Sequence, residues 1–125
     1  MLDESPAQLV RHLEDANGWW RDMAQQQLVL RQDRSVAPAL RAMARTHANQ
    51  LARIHALWTL EGLGSLDAAL ARELMKDADP KVRVQAIRAS ETLYKGGDRS
   101  LAADYRAMTT DRDADVAVQA ILTVN

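Results

Sequence analysis

The sequence contains no cysteine and no phenylalanine, and it has few tyrosines, glycines and prolines. The absence of cysteine excludes disulfides, thiolate metal sites, cysteine nucleophiles and covalent c-type haem attachment within these 125 residues. Five glycines and three prolines are too few for an all-β domain, which needs frequent tight turns. Alanine and leucine dominate instead, and both residues favour helices.

The chain also lacks a charge excess of either sign and a long apolar run. Its 16 basic and 17 acidic residues leave a net charge of −1, which argues against a general binder of nucleic acids or anionic membranes. No apolar stretch approaches the roughly 20 residues that span a bilayer. The acidic first residues do not form a signal peptide, so the export signal of a longer parent protein would lie outside this sequence. A length of 125 residues is enough for one domain and too short for two ordinary ones, so a single domain over 1–125 is predicted.

Apolar residues spaced by three and four positions predict helices throughout the chain. Ser5 and Pro6 have the pattern of a helix cap followed by proline at the first helical position. Asn17-Gly18 is expected to end this first helix, and Ser65 is expected to cap a short helix further on. Asp79 and Pro80 repeat the cap-and-proline start. The predicted fold class is therefore all-α.

Residues 77–87 combine a helix stop, a helix start and the first turns of an amphipathic helix, and this pattern recurs along the chain. Residues 83–87 align with 53–57 at an offset of 30 and with 117–121 at an offset of 34. Residues 21–24 align more weakly with 53–56, at an offset of 32. A period in the low thirties with two helices per unit indicates an α-solenoid. The predicted architecture is a superhelix of three to four helical pairs, with units at about 17–45, 46–76, 77–108 and an incomplete 109–125.

The turn Asp77-Ala78-Asp79-Pro80, followed by Val82-Arg83 and Ala86, resembles the HEAT repeats of armadillo-like scaffold proteins. In that family an aspartate of the turn and the arginine of the following helix tie neighbouring repeats together in a ladder. The resemblance implies this role for Asp79 and Arg83. It implies the same role for the arginines at the equivalent position of earlier units, Arg53 and Arg21. The fourth copy departs from the pattern, because Ala117 stands where arginine is expected.

Two further strings, residues 17–22 and 55–63, resemble the HEAT segment of large exported bacterial proteins of the membrane-bound dehydrogenase type. Those proteins also carry a β-propeller and a c-type haem domain. The resemblance implies that this chain is a middle domain excised from a redox protein, with a periplasmic or exported location. Because the segment lacks cysteine and known cofactor motifs, we expect no cofactor within it.

Four residues are candidates for an interaction surface: Trp19, Trp20, Trp58 and His55. Adjacent residues on a helix point about 100° apart, so Trp19 and Trp20 cannot both face the core, and one is expected at the edge of a repeat. The tryptophans either pack between helices and domains or stack on a ligand, and packing is the simpler interpretation. His55 aligns with Gln85 and Gln119, which favours a structural polar side chain.

We therefore predict no catalytic, cofactor-binding or metal-binding residues, because no nucleophile triad, phosphate loop, dinucleotide fingerprint or zinc motif is present. The expected function is that of a non-catalytic scaffold or interdomain spacer whose partners are proteins or flanking domains of the same chain. The second helices, around 66–75 and 100–108, would line its concave face. The alternative is direct participation in a dehydrogenase or haem-containing electron-transfer site of the parent. Neither nucleic-acid binding nor membrane insertion is expected, and the oligomeric state is left open.

Overall fold

In the computed structural model, which describes residues 3–125, the chain is all-α, and this part of the chain contains no strand. The helices are α1 (Pro6–His12), α2 (Gly18–Arg31), α3 (Ala37–Thr46), α4 (Gln50–Gly62), α5 (Ala68–Met75), α6 (Pro80–Lys95), α7 (Leu101–Met108) and α8 (Ala114–Val124), with a short 3₁₀ helix at Arg34–Val36 before α3. The predicted all-α class is confirmed. The predicted domain starts at residue 1, and its first two residues lie outside the described part.

The helices form two compact units, one ending at Leu66 and the other covering Asp67–Asn125. In the first unit α1 packs on α2, α3 packs on α4, and α2 packs on α4. The core of this unit consists mainly of leucine and alanine side chains with almost no solvent exposure: Leu9, Leu13, Ala24, Leu28, Leu40, Ala44, Ala56, Leu57, Leu60 and Leu63. Small alanines among the leucines let the helices approach closely.

The second unit follows the same plan. Here α5 packs on α6, α7 packs on α8, and α6 packs on α8. Its buried side chains are again mostly aliphatic, with one large aromatic residue among them: Leu70, Leu74, Val82, Ala86, Ile87, Leu101, Tyr105, Val116 and Ala120. The even-numbered helices therefore pack against one another within each unit, and each also packs on the helix that precedes it.

Two predicted helix boundaries are wrong, and both errors concern capping. Gly18 does not end α1; it is the first residue of α2, because the Asn17 side chain accepts a hydrogen bond from the Trp19 N–H and caps that helix. Ser65 does not cap α5; Asp67 does, by accepting from the Leu70 N–H. Asparagine and aspartate side chains accept hydrogen bonds from the free N–H groups at a helix start. The predicted boundary residues, Gly18 and Ser65, lie one and two residues from the caps Asn17 and Asp67. The predicted caps at Ser5 and Asp79 are present.

Candidate functional site

The predicted ladder residues lie at a turn that the chain builds four times. In each copy, a side chain two positions before the cap accepts a hydrogen bond from the backbone N–H of the cap. The cap side chain then accepts from the N–H two positions later. The acceptor and cap pairs, with the first of these distances, are Asp15 and Asn17 (2.8 Å), His47 and Asn49 (2.9 Å), Asp77 and Asp79 (2.9 Å), and Asp111 and Asp113 (2.9 Å).

Arg83 lies four residues after the Asp79 cap and is almost completely buried, with 7% of its side chain exposed. Its Nη1 donates to the carbonyl oxygens of Asp77 and Ala78 at 2.8 and 3.1 Å. Its Nη2 donates to Oδ1 of Asp111 at 3.0 Å. The guanidinium therefore holds the turn before α6 to the turn before α8, which is possible because a planar fork of donors can bind several oxygens at once.

Asp111 completes this contact, and its position in the repeat is informative. It lies 34 residues after Asp77, so it is the acceptor of its own turn and the ion-pair partner of Arg83 at the same time. Burial acts to raise the pKa of Asp111, but the Asp113 N–H and the Arg83 guanidinium outweigh it and hold that pKa below its ordinary value. Asp79, which we predicted for the ladder beside Arg83, caps α6 through the Lys81 N–H at 2.9 Å.

The other two predicted ladder arginines also bind backbone carbonyls of the segment before their helix. Arg21 Nη1 donates to the Asp15 carbonyl at 2.6 Å. Arg53 donates from Nε to the Ala44 carbonyl at 2.9 Å and from Nη2 to the Arg45 carbonyl at 3.3 Å. The three arginines thus share a local role, in which each one fastens its helix to the preceding turn or helix end. A ladder role between repeats for Arg21 and Arg53 stays a prediction.

The adjacent tryptophans have different environments. Trp19 is 58% exposed, whereas Trp20 is half-buried and stacks on the His12 ring with centroids 5.0 Å apart. The two indoles meet edge to face at 5.1 Å. His12 also contacts the Glu4 carboxylate, with Nε2 and Oε2 2.8 Å apart. The contacts with His12 therefore hold Trp20 in place, while Trp19 faces solvent. This difference in exposure is the one that the 100° angle between adjacent helical residues predicts.

His55 and Trp58 lie on α4 and are both half-buried. His55 Nδ1 is 2.7 Å from the Gln25 Oε1 on α2, and its Nε2 is 3.7 Å from Asp22 Oδ1. Burial lowers the pKa of His55, Asp22 partly opposes this shift, and Arg21 adds to it. The histidine thus lies between two packed helices and contacts polar side chains of α2, in keeping with a structural role. None of these contacts links His55 to Trp19 or Trp20.

The third histidine, His47, stands where the other three turns have aspartate. Its Nδ1 accepts the Asn49 N–H, so in this state the ring proton lies on Nε2, which is 3.3 Å from Oε1 of Glu14. Each histidine of the chain therefore contacts a carboxylate or amide of another segment. Within residues 3–125 there is no group of three or more histidine, aspartate and glutamate side chains that could hold a metal ion.

Several polar contacts that the sequence analysis missed link helices one repeat period apart. Arg72 on α5 binds Asp104 on α7, with Nε and Oδ2 2.9 Å apart, and it also contacts Ser100. Glu91 on α6 accepts from Thr123 on α8 at 2.6 Å. Each of these two pairs is separated by 32 residues, so matching polar residues at that separation would have found both.

A buried hydroxyl pair was also missed. Tyr105 has no solvent exposure, and its hydroxyl lies 2.7 Å from Ser90 Oγ, which itself donates to the Ile87 carbonyl. Burial raises the pKa of Tyr105. The Tyr94 ring packs edge to face on Tyr105 at 5.1 Å, and Arg99 lies over Tyr94. No periodic signal marks this cluster, because it depends on how α6 and α7 meet.

The surface depressions lie beside these structural contacts. One, of about 570 Å³, adjoins the Arg83 and Asp111 pair together with Lys76 and Arg112. Another, of about 340 Å³, follows one side of α2 and is lined by Asp22, Gln25, Gln26, Val29 and Leu30. In the first depression Arg83 and Asp111 are paired with each other, and in the second Asp22 lies 3.7 Å from His55. In residues 3–125 no helix is both long enough and apolar enough to cross a membrane.

Comparison with known proteins adds no relative to this description. No protein-family model, curated protein or solved structure matches the chain.

Proposed function

We propose that this chain is a HEAT-like helical-repeat scaffold, built from stacked helical pairs, that binds a protein or a neighbouring domain of its own parent chain. The observation that carries the proposal is the turn that recurs four times with the same hydrogen bonds. A unit that repeats its caps, its turn acceptors and most of its arginines is a unit built for stacking. The buried charge of the second unit serves that stacking, since Arg83 and Asp111 form an ion pair that joins two successive turns.

Trp19 is the leading candidate for a contact with the partner. Its indole is mostly exposed, and its neighbour Trp20 is held in place by His12, so the aromatic surface is ordered before any partner arrives. Exposed tryptophans are frequent among the residues that dominate protein interfaces. The resemblance to HEAT repeats adds a concave face around 66–75 and 100–108 as a second contact region.

The narrower resemblance extends the proposal to a parent protein. The chain would act as a spacer between a β-propeller and a c-type haem domain of an exported dehydrogenase. Residues 17–22, which carry part of that resemblance, include the Trp19 and Trp20 pair. An aromatic surface at this place suits packing against a flanking domain.

Site-specific photo-crosslinking in a cell extract of the source organism tests the partner contact. A photo-reactive amino acid replaces Trp19 in one sample and Arg88, an exposed residue of α6, in a matched control. We expect a discrete protein adduct from position 19 and none from position 88. Equal labelling from both positions, or none from position 19, would contradict the proposed surface. A Trp19→Ser chain added in excess should fail to compete with the adduct, whereas an unmodified chain should compete.

The alternative is that the segment contributes directly to a dehydrogenase or electron-transfer site of its parent. The exposure of Trp19 favours this alternative, because an exposed indole can line a junction between domains. The two functions differ in one variant. Trp19→Phe keeps an aromatic packing surface, so a scaffold should retain both its assembly and the turnover of the parent enzyme. If the indole takes part in the reaction, the variant should still assemble but the parent enzyme should lose turnover.

A further inference from the structure

One of the four repeated turns uses an acceptor that titrates near neutral pH. Three of the acceptors are aspartates, namely Asp15, Asp77 and Asp111, whereas the second turn uses His47. An aspartate stays ionised above about pH 4. A histidine accepts a hydrogen bond only while one ring nitrogen is unprotonated, because both ring nitrogens are donors in the charged ring. The hydrogen bond of the second turn therefore depends on pH in a range where those of the other three do not.

This hydrogen bond holds the start of α4. His47 Nδ1 accepts the Asn49 N–H at 2.9 Å, and the Asn49 side chain accepts in turn from the N–H groups of Leu51 and Ala52. A proton on Nδ1 places two donors, the ring N–H and the Asn49 N–H, opposite each other. The bond is then lost, and the cap residue of α4 loses one of the contacts that fix its backbone.

His47 also contacts the segment that follows α1. Its Nε2 lies 3.3 Å from Oε1 of Glu14, and 26% of the His47 side chain and 45% of the Glu14 side chain are exposed. In the fourth turn the acceptor Asp111 pairs with Arg83 of the preceding repeat, and both groups are charged at neutral pH. In the second turn the order of charges is reversed, because the carboxylate belongs to the preceding segment. Its partner His47 completes an ion pair only after it takes up a proton.

The charged groups around His47 come from three parts of the chain. Glu14, after α1, attracts a charged ring. Arg53 of α4 binds the carbonyls of Ala44 and Arg45 at the end of α3, so two guanidinium groups lie near the same turn and oppose the charge. Losing an exposed backbone hydrogen bond and gaining a partly exposed ion pair are changes of similar size. Protonation therefore exchanges one contact for another instead of unfolding the unit.

We propose that the turn of residues 47–49 is a pH-sensitive joint of the first unit. At neutral pH His47 holds the Asn49 N–H and with it the start of α4. On acidification the charged ring releases that N–H and binds Glu14. The start of α4 is then held less firmly to its own turn, while the turn is held more firmly to the segment after α1. The exchange does not depend on which partner the scaffold binds.

Nuclear magnetic resonance of the full chain between about pH 7.5 and about pH 5 tests the exchange of contacts. The Asn49 amide proton should move toward the shift of a water-exposed amide in step with the His47 ring protons. Its protection from hydrogen exchange, corrected for the intrinsic rate, should fall about fivefold or more. The amides of Asn17, Asp79 and Asp113 donate to aspartates, so they are internal controls that should keep their shifts.

Three variants assign the effect. His47→Asn keeps an uncharged side-chain acceptor in the turn, so the Asn49 shift should stay constant over this pH range. His55→Gln is the matched control, because His55 lies on α4 but contacts Gln25, and the Asn49 titration should persist in it. Glu14→Gln removes the carboxylate that the charged ring binds. In urea denaturation, the effect of Glu14→Gln on the unfolding equilibrium constant should therefore grow about two- to fivefold from pH 7.5 to pH 5, and it should not grow in a His47→Asn chain.

Each part of the proposal has an outcome that refutes it. A His47 ring that takes up no proton by about pH 5, or takes one up while the Asn49 amide keeps its shift, would overturn the proposal. An Asn49 titration that persists in His47→Asn would assign the shift to another group and would overturn it too. If Glu14→Gln has the same effect at both ends of the pH range, Glu14 does not receive the charged ring, and the exchange of contacts is refuted.

Discussion

Replacing Arg83 by methionine is expected to destabilise the second unit, Asp67–Asn125, more than any surface substitution on α6. The methionine keeps much of the aliphatic stem, so the change removes the guanidinium rather than the packing. The carbonyls of Asp77 and Ala78 then lose their donor, and Asp111 loses its ion-pair partner.

The burial of the pair sets the magnitude. Only 7% of the Arg83 side chain and 15% of the Asp111 side chain are exposed. Removing one partner of a buried pair costs about 3–5 kcal/mol, because the remaining charge stays desolvated. Asp111 retains the Asp113 N–H and some solvent, so the lower end of that range, about 3 kcal/mol, applies here. For a chain of this size that loss lowers the melting temperature by roughly 10 °C.

Urea denaturation followed by circular dichroism measures the effect, with Arg88→Met as the control on the exposed side of the same helix. A double-mutant cycle with Asp111→Asn should give a coupling energy above about 1 kcal/mol. The reasoning fails if Arg83→Met costs less than about 0.5 kcal/mol, or if its effect equals that of the control.

The same cycle has a pH signature. The pKa of Asp111 is lowered in the folded chain, so its contribution to stability is complete above the unfolded pKa, near 3.9. It is lost as the pH falls through the lower folded value. The stability difference between the unmodified chain and Asp111→Asn should therefore be constant from about pH 7 to about pH 5 and should shrink below about pH 4. A difference that grows on acidification would contradict the assignment.

Three further outcomes are expected. Asp79→Ala removes a helix cap and should lower the free energy of unfolding by about 1 kcal/mol in a thermal melt, without changing partner crosslinking. Gly62→Ala places a Cβ 2.6 Å from Val29 Cγ2 and should cost about 1–3 kcal/mol in urea denaturation, most of which Val29→Ala in the same chain should restore. The pKa of His55 is lowered by burial, so as the pH falls through about 6.5 the unfolded chain takes up the proton first and the folded chain loses stability. His55→Gln removes this titration, so the stability of the variant should fall less between about pH 7.5 and about pH 5.5.

The helices and their register could be predicted from the sequence because both rest on local patterns. The cap at Asp79, the proline start of α6 and the offset that relates Arg83 to Arg53 all follow from residue type and spacing. The 100° angle between neighbouring side chains anticipated the split between Trp19 and Trp20.

Pairing between segments was harder to predict. Asp111, which the sequence analysis did not single out, is the ion-pair partner of Arg83 and also the acceptor of its own turn, two residues before the cap. Propensity alone ranks asparagine, aspartate and serine as similar caps, so it could not separate Ser65 from Asp67 as the cap of α5. The stacking of His12 on Trp20 depends on how α1 meets α2, and no spacing in the sequence carries that information.

The central claim is that this chain is a scaffold with no reaction of its own. Its most direct test is a dye-linked oxidation assay on the purified chain with a panel of sugars and alcohols. Any turnover is followed across gel-filtration fractions, with a sample unfolded in urea as the blank. The scaffold account predicts rates equal to the blank in every fraction. Dye reduction that co-elutes with the folded chain and disappears on unfolding would contradict it.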